Sequence, residues 1–358
     1  FDRGLDDASF ARCLVAAEVA LVRAWAEVGA APPEVAEAVS EVLGWNAEDP
    51  LATPGLEAAA LDELTRAAVA GGNPVIPLVG MLKDRVPEHA RAWVHRGATS
   101  QDILDTALML LAREAGVALL ARLVETDDAL LDFAAEHRDR VAAARTLTQH
   151  AVPTTVGLRA ANWQRGVARA ISRLDDALWQ LPAQLGGAGG TLASFALIGG
   201  EDAAIALPSA FAGQLDLAVP EAPWHTARWP VTELGDALAQ AVDALGVIAA
   251  DVATLSRTEI GELAEGAGGG SSAMPQKRNP ARSVLIRSAA IRAPQLAATL
   301  HTAAALAVDE RPDGAWHAEW PTLRELLRLA LGAAGHAERL IAGLTVDAEA
   351  VERNLALT

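Results

Sequence analysis

The chain has 358 residues, and its 29 Lys and Arg against 46 Asp and Glu give a formal net charge of −17. Hydrophobic residues make up 51% of it and charged residues 21%, proportions that exclude an intrinsically disordered chain. The acidic balance argues against nucleic acid and membrane partners, because both attract cationic proteins. The single cysteine, Cys13, excludes an internal disulfide.

The segment 177–200 has no charged residue and is long enough to cross a bilayer. It contains Pro182 and a cluster of glycines, so we interpret it as a loop with buried helix ends and not as a membrane helix. No charged-then-apolar leader opens the chain, and we expect a cytoplasmic protein.

Apolar residues recur at helical spacing along almost the whole chain, which predicts an all-α fold. A first helix carries Leu14 and Trp25 on one face and ends near Gly29. Further helices are predicted over residues 102–137, 153–181, 232–265, 282–307 with a kink at Pro294, and 324–344.

Helices of this length need long partners, so we expect an elongated bundle with some apolar faces buried between subunits. Short linkers are predicted over residues 44–55, 186–190, 219–230, 266–280 and 309–321. We expect three domains: an N-terminal helical domain over residues 1–94, a central long-helix domain over 95–345, and the start of a truncated C-terminal domain over 346–358.

The strongest local signal for chemistry is the segment 266–280, GAGGGSSAMPQKRNP. Its glycines let backbone approach a ligand, and its two serines offer hydroxyl groups. Lys277, Arg278 and Asn279 add charge and donors beside a predicted helix N-terminus, where anions are favoured. The alternative is a flexible linker with a basic end.

Two further polar segments precede predicted helices. In the segment 95–102, HRGATSQD, Thr99, Ser100 and Asp102 can all cap a helix, but capping does not explain His95. The segment 145–155, RTLTQHAVPTT, is weaker by itself, because a lone histidine is more often a packed or capping residue than a catalyst. Bundled helices would let the three segments converge on one site.

Other motifs give weaker evidence for a functional site. The glycine-rich segment 186–190 lacks the preceding strand and the Lys-Ser/Thr pair of a phosphate loop. The eight histidines include no His-Glu-x-x-His motif, so we expect no metal. The segment 316–320, WHAEW, is interpreted as a helix face packed by two tryptophans, with His317 and Glu319 as possible supporting groups of a site.

The segment 266–280 resembles the signature loop of the fumarase/aspartase superfamily, and the other two polar segments resemble its shared regions in the same order. The resemblance covers nearly the whole chain. It implies a homotetramer whose central helices form one bundle, active sites drawn from three subunits, and no cofactor for the chemistry.

Within that superfamily, the segments 181–193, 223–228 and 314–320 are most similar to the 3-carboxy-cis,cis-muconate cycloisomerase family. This resemblance implies a small tricarboxylate substrate and the interconversion of 3-carboxy-cis,cis-muconate and 4-carboxymuconolactone in protocatechuate breakdown. The reaction passes through a carbanion next to a carboxylate, stabilised as an aci-carboxylate.

The resemblance also implies the roles of individual residues. Ser271 matches the catalytic serine, Lys277 and Asn279 would hold the developing charge, and His95 would bind substrate or relay protons. The implied substrate-binding residues are Thr99, Ser100, Gln149, His150, Ser272, Met274, Gln276 and Arg278.

Leaving-group chemistry separates the members of the superfamily. Adenylosuccinate lyase has histidine where Leu147 stands, and it needs an acid to protonate its leaving group. A muconolactone opens by releasing a carboxylate, whose reference pKa is about 4 and which needs no strong acid. Leu147 and Gln276 therefore favour lactone chemistry, with another superfamily lyase such as adenylosuccinate lyase, or a catalytically silent structural homologue, as the alternatives.

Overall fold

A computed structural model describes residues 4–266, 269–270, 273–274 and 277–358. The helices are α1 (Asp7–Glu27), α2 (Pro33–Leu43), α3 (Ala58–Gly71), α4 (Val75–Arg85), α5 (Ser100–Glu136), α6 (Val156–Trp179), α7 (Ala193–Gly199), α8 (Glu201–Gln214), α9 (Trp229–Leu255), α10 (Ala281–Ala305), α11 (Gly314–Ala342) and α12 (Ala348–Leu355). The strands are β1 (Val141–Thr146), β2 (Gln149–Thr155), β3 (Leu263–Glu265) and β4 (Leu344–Val346), and short 3-10 helices cover Pro50–Ala52 and Glu88–Trp93.

The all-α prediction is confirmed, because the strands form only two small antiparallel pairs, β1 with β2 and β3 with β4. Helices α5, α6, α9, α10 and α11 pack against one another as a long bundle. Helix α5 alone has 37 residues, which corresponds to about 55 Å at the rise of an α-helix. The buried apolar core runs without a break from α1 through this bundle.

The first predicted helix and the helix from residue 102 to 137 are confirmed by α1 and α5. The helix predicted to begin at Pro153 begins instead at Val156, because residues 149–155 pair with residues 141–146 as a hairpin. The hairpin turns at Leu147 and Thr148, which have φ of 50° and 73°. Helical periodicity missed these strands because β2 is mostly exposed and lacks an alternating apolar face.

Two helix boundaries were also wrong by about ten residues. Helix α9 ends at Leu255 and not at Glu265, because the chain turns at Gly261 (φ 65°) and then pairs with β4. Helix α11 begins at Gly314 and not at Arg324, and it contains Pro321. Burial of Trp316 and Glu319 holds this first part of α11 helical despite the proline.

The segment 177–200 is not one helix, as expected: it comprises the end of α6, a loop and α7. Within the described ranges, α9 has the length and hydropathy of a membrane span, and 56% of its most apolar window is buried. The core helix of a folded protein has the same properties. Helix α10 matches its prediction, whereas the kink at Pro294 and the three-domain division stay predictions.

Candidate active site

The three polar segments lie at two ends of the bundle within one chain. The segment 95–102 lies at the start of α5, whereas the hairpin that contains residues 145–155 follows the end of that helix. Strand β3, which leads into the segment 266–280, lies at the hairpin end, because the neighbouring Glu262 pairs with Arg145. The expected convergence is therefore not met inside a single chain.

Thr99 and Asp102 shape the start of α5. Thr99 is the residue before the helix, and its backbone N–H donates to Asp102 Oδ2 at 3.0 Å. The capping interpretation is correct for this pair. Ser100 is the first helical residue and is half-buried.

Asp102 also binds two distant parts of the chain. Its carboxylate is fully buried and accepts the backbone N–H groups of Gly186 (2.9 Å) and Gly187 (3.0 Å), as well as His225 Nε2 at 2.8 Å. The glycine-rich segment 186–190 thus folds over the start of α5. Gly186 is required there, because a Cβ atom would lie 2.7 Å from Pro223 Cβ.

His95 lies beside this segment in the left-handed region, with φ of 60°. Its Nδ1 is 2.7 Å from Oε1 of Glu18, a buried carboxylate on α1. Burial of the imidazole opposes its charge, but the Glu18 carboxylate outweighs this effect and raises the pKa of His95. The Glu18 carboxylate thereby stabilises the protonated form of His95 relative to its neutral form.

A buried ion cluster lies next to Asp102. Arg228 donates to Asp105 Oδ2 at 2.7 Å and to Glu319 Oε2 at 2.6 Å, and all three side chains are buried. Trp316 donates its indole N–H to Asp105 at 2.8 Å. The helix-face interpretation of residues 316–320 is thus correct for the buried Trp316, and Glu319 proves to be a cluster member.

Burial raises the pKa of Glu319, an effect that the Arg228 guanidinium opposes. His317 lies on the outer side of α11, where its Nδ1 bonds to the Asp313 carbonyl. Asp105 and Arg228 were not among the residues predicted for the site. Asp105 stands two positions from Ile103, off the predicted apolar stripe of its helix, and Arg228 lies in the predicted linker 219–230, so no local pattern marks either residue.

Arg311 was also not among the residues predicted for the site. Its guanidinium NH2 group donates to Thr99 Oγ1 and, at 3.0 Å, to the carbonyl oxygen of Ala188. Its Nε atom is buried without a hydrogen-bond partner. Both acceptors are uncharged, and no ion pair of Arg311 is found within the described ranges, so its positive charge is available to an anion at the start of α5.

The hairpin places Gln149 and His150 at the opposite end of the bundle. Gln149 pairs with Thr146 across the hairpin and donates to Thr148 Oγ1 at 3.2 Å. His150 pairs with Arg145, and its Nδ1 is 3.1 Å from Thr358 Oγ1. Leu147, at the hairpin tip two positions before Gln149, is 96% exposed.

Arg145 anchors this hairpin to the segment that leads into the signature loop. Its guanidinium donates to Glu262 at 2.5 and 3.3 Å, and Asn354 Nδ2 donates to the same buried carboxylate at 2.9 Å. Arg159 Nη1 lies 3.8 Å from Glu262. Arg145 therefore has a structural partner and is not an open anion ligand.

The signature loop is described in part. The predicted site residues Ser271, Ser272 and Gln276 lie outside the described residues. Lys277 and Arg278 are exposed, and Met274 is 44% exposed. Asn279 exchanges two backbone hydrogen bonds of 2.9 Å with Gly269.

The N-terminus of α10 differs from the expectation that it favours an anionic ligand. The carboxylate of Glu265 already accepts the N–H groups of Arg282 (3.1 Å) and Ser283 (2.9 Å). The N–H of Ala281 donates to the Asn279 carbonyl at 2.9 Å. Because these donors are occupied, the backbone N–H groups of Ala281, Arg282 and Ser283 are not available to an anionic ligand. In the part of the chain that the structure describes, no group of three or more His, Cys, Asp or Glu could hold a metal ion.

Comparison with known proteins agrees with this architecture. A family model described as Lyase matches residues 2–294. The chain belongs to this lyase family of the fumarase/aspartase superfamily.

Particular relatives differ in the reaction that their names state. A nitrosuccinate lyase of Streptomyces davaonensis is 47% identical over 366 aligned positions, which cover 100% of this chain and 75% of that protein. A 3-carboxy-cis,cis-muconate cycloisomerase of Pseudomonas aeruginosa is 41% identical and covers 95% of this chain and 72% of that protein. The crystal structure of the 3-carboxy-cis,cis-muconate lactonizing enzyme of Pseudomonas putida matches with a TM-score of 0.87 at 35% identity, over 98% of this chain and 76% of that one.

Proposed function

We propose that the protein is a cycloisomerase that interconverts 3-carboxy-cis,cis-muconate and 4-carboxymuconolactone. The observation that carries the proposal against adenylosuccinate lyase is the exposed Leu147 at the hairpin tip, where that enzyme has histidine. A leucine cannot protonate a leaving group, so this position favours a reaction that releases a weak base. The cycloisomerase relative and the matching crystal structure support the same reaction.

In the lactone-forming direction, a substrate carboxylate oxygen forms a C–O bond to one carbon of a double bond. The electron pair of that double bond moves to the other carbon and is delocalised into the adjacent carboxylate. Ser271 then delivers a proton to this carbon. In reverse, the alkoxide of Ser271 removes the proton and the lactone C–O bond breaks, releasing a carboxylate with a reference pKa of about 4.

Cationic and neutral polar side chains would hold the three carboxylates and the developing charge. Lys277 and Asn279 would stabilise the aci-carboxylate, and Thr99, Ser100, Gln149 and His150 would bind the others. Arg311 joins this set, because it lies beside Thr99 and has no carboxylate partner among the described residues. Ser272, Met274, Gln276 and Arg278 would line the site from the loop.

The separation of the segments supports an active site built from several subunits of a homotetramer. The outer faces of α9 and α10 expose apolar side chains, namely Val247, Val284, Leu285 and Ile291.

Light scattering should give four copies per particle. Co-expression of a Thr99→Ala chain with a Ser271→Ala chain should restore activity that neither variant has alone, since mixed particles then contain intact sites. A monomeric protein, or mixed particles without activity, would contradict active sites that are shared between subunits.

A nitrosuccinate lyase activity is the second candidate, and the 47% identity to the Streptomyces protein favours it. Nitrite is also a weak base, so Leu147 fits its release equally well. Removal of a proton next to a carboxylate and loss of nitrite would leave a butenedioate. Nitrosuccinate carries two carboxylates, whereas the substrate of lactonisation carries three.

Parallel assays distinguish these functions. Purified protein is mixed with 3-carboxy-cis,cis-muconate, nitrosuccinate or adenylosuccinate, and ultraviolet absorbance and released nitrite are followed. We expect kcat/KM for the muconate to exceed the others by about a hundredfold or more, because correct placement of buried polar groups discriminates strongly. A preference for nitrosuccinate would replace the proposal with the second candidate, and turnover of none would favour a silent homologue.

A further inference from the structure

Glu265 lies at the end of β3, immediately before the signature loop, and reaches across to the helix that follows the loop. Its Oε2 accepts the backbone N–H of Arg282 at 3.1 Å. Its Oε1 accepts both the backbone N–H (2.9 Å) and the hydroxyl (2.7 Å) of Ser283. Ser283 is fully buried and Glu265 is 8% exposed, so water does not easily replace these bonds.

Backbone contacts hold the same region. Glu265 pairs with Leu344 across the small β3–β4 sheet. Gly266 packs so closely on Gly343 that a Cβ atom would lie 2.5 Å from its carbonyl oxygen. Further along, Gly269 and Asn279 exchange two hydrogen bonds of 2.9 Å, which draws the two arms of the loop together.

The Glu265 carboxylate joins the two ends of the loop through its hydrogen bonds to Arg282 and Ser283. The β3–β4 pairing fixes the chain before the loop but not the chain after it. The bonds from Arg282 and Ser283 transmit that fixed position to the first turn of α10. The negative charge of Glu265 is also favourable there, since it faces the positive end of the helix dipole.

We propose that Glu265 is a positioning residue of the active site: it joins β3 to α10 and so sets where Lys277 and Asn279 stand. This inference rests on the proposed function only in that the loop carries the chemistry. Glu265 does not itself contact substrate, because its carboxylate oxygens are engaged with α10. Its loss should therefore lower kcat, by misplacing groups that act in the transition state, with little effect on KM.

Limited proteolysis reads the loop position without reference to activity. Lys277 and Arg278 are exposed trypsin sites within the loop. In Glu265→Ala, we expect native-state cleavage after these two residues to be about tenfold faster than in the wild type, measured by mass spectrometry. In the same variant, kcat for the substrate that the wild type turns over should fall about tenfold while KM stays within about threefold.

Conservative variants and a matched control complete the experiment. Glu265→Gln keeps an acceptor for Ser283, so it should recover most of the resistance to cleavage. Ser283→Ala loses one hydrogen bond, so its cleavage rate should increase less than that of Glu265→Ala. Asp6→Ala removes a cap of α1, which accepts the N–H of Ser9 at 2.8 Å, and should leave loop cleavage unchanged. If Glu265→Ala folds poorly, Glu265→Gln and Ser283→Ala provide the comparison.

The outcomes separate the inference from the proposed function. Wild-type cleavage rates in both Glu265 variants would overturn the positioning role, whatever the enzyme catalyses. Faster cleavage with unchanged kcat would overturn it as well. A wild type that turns over neither the muconate nor nitrosuccinate would overturn the proposed function, while the cleavage rates would still decide whether Glu265 fixes the loop.

Discussion

His225 Nε2 donates a 2.8 Å hydrogen bond to Asp102 Oδ1, although 123 residues separate the two in sequence. Asp102 also accepts N–H groups from Gly186 and Gly187, so one buried carboxylate joins the start of α5, the glycine-rich loop and the approach to α9. This relationship organises the end of the bundle where Thr99 and Arg311 meet.

Loss of the Asp102 carboxylate should destabilise the fold strongly. Asp102→Ala leaves several buried donors without an acceptor, and we expect a loss of about 3 kcal/mol or more in the free energy of unfolding. Asp102→Asn keeps one acceptor, so its free energy of unfolding should fall less than that of Asp102→Ala. Urea unfolding at a fixed protein concentration measures the difference.

An exposed aspartate on the same helix provides the control for this comparison. Asp132 lies in α5 with its side chain in solvent, so Asp132→Asn should change the free energy of unfolding by less than about 0.5 kcal/mol. Equal effects at Asp102 and Asp132 would mean that Asp102 does not join the three segments.

The sequence predicted the long helices well because their apolar period is local and sustained. It also placed Thr99 and Asp102 at a helix start, where a capping pattern spans only a few residues. It could not pair Asp102 with His225 or Asp105 with Arg228, because those partners are more than a hundred residues apart. No local pattern encodes such contacts.

The hairpin and Arg311 show two other limits. Residues 141–155 form strands whose exposed side chains carry no clear period of two, so helical spacing extended α6 too far back. Arg311 stands in a stretch interpreted as a linker, and only the fold brings it to Thr99. The predicted site residues could be identified by resemblance, but their division between two bundle ends could not.

The stability of the fold should depend on pH through His95. Its folded pKa is raised above the ordinary value of 6.5, so its pairing with Glu18 stabilises the fold fully below that value. The contribution is lost as pH rises through the raised pKa. We therefore expect the difference in unfolding free energy between the wild type and His95→Asn to be larger at about pH 6 than at about pH 9.

Glu18 supplies the matched test of this dependence. Glu18→Gln removes the charge that raises the pKa of His95, so in that background His95→Asn should have nearly the same effect at both pH values. Chemical unfolding curves at each pH measure it. A wild-type difference that grows with pH would contradict the ion pair.

Arg311 should contribute to substrate binding. Arg311→Ala removes a cation that has no carboxylate partner in the described structure, and we expect KM to rise about tenfold or more. Arg311→Lys keeps the charge but not the planar donor geometry, so its KM should lie between those of the wild type and Arg311→Ala. Steady-state kinetics on the preferred substrate measures both.

An exposed arginine serves as the control for these variants. Arg66 lies on α3, where its Nε donates to the carbonyl oxygen of Asp62, and Arg66→Ala should leave KM unchanged. If Arg311→Ala matched the wild type in KM and kcat, the guanidinium would not face the substrate.

The most direct test of the proposed chemistry is the rate of lactonisation by Ser271→Ala. We expect turnover of 3-carboxy-cis,cis-muconate to fall by about a hundredfold or more, because the variant lacks the hydroxyl that delivers the proton to carbon. Circular dichroism and particle size should be unchanged, and Ser209→Ala, at an exposed serine of α8, should retain full activity. Turnover by Ser271→Ala within about threefold of the wild type would contradict proton transfer by the signature loop.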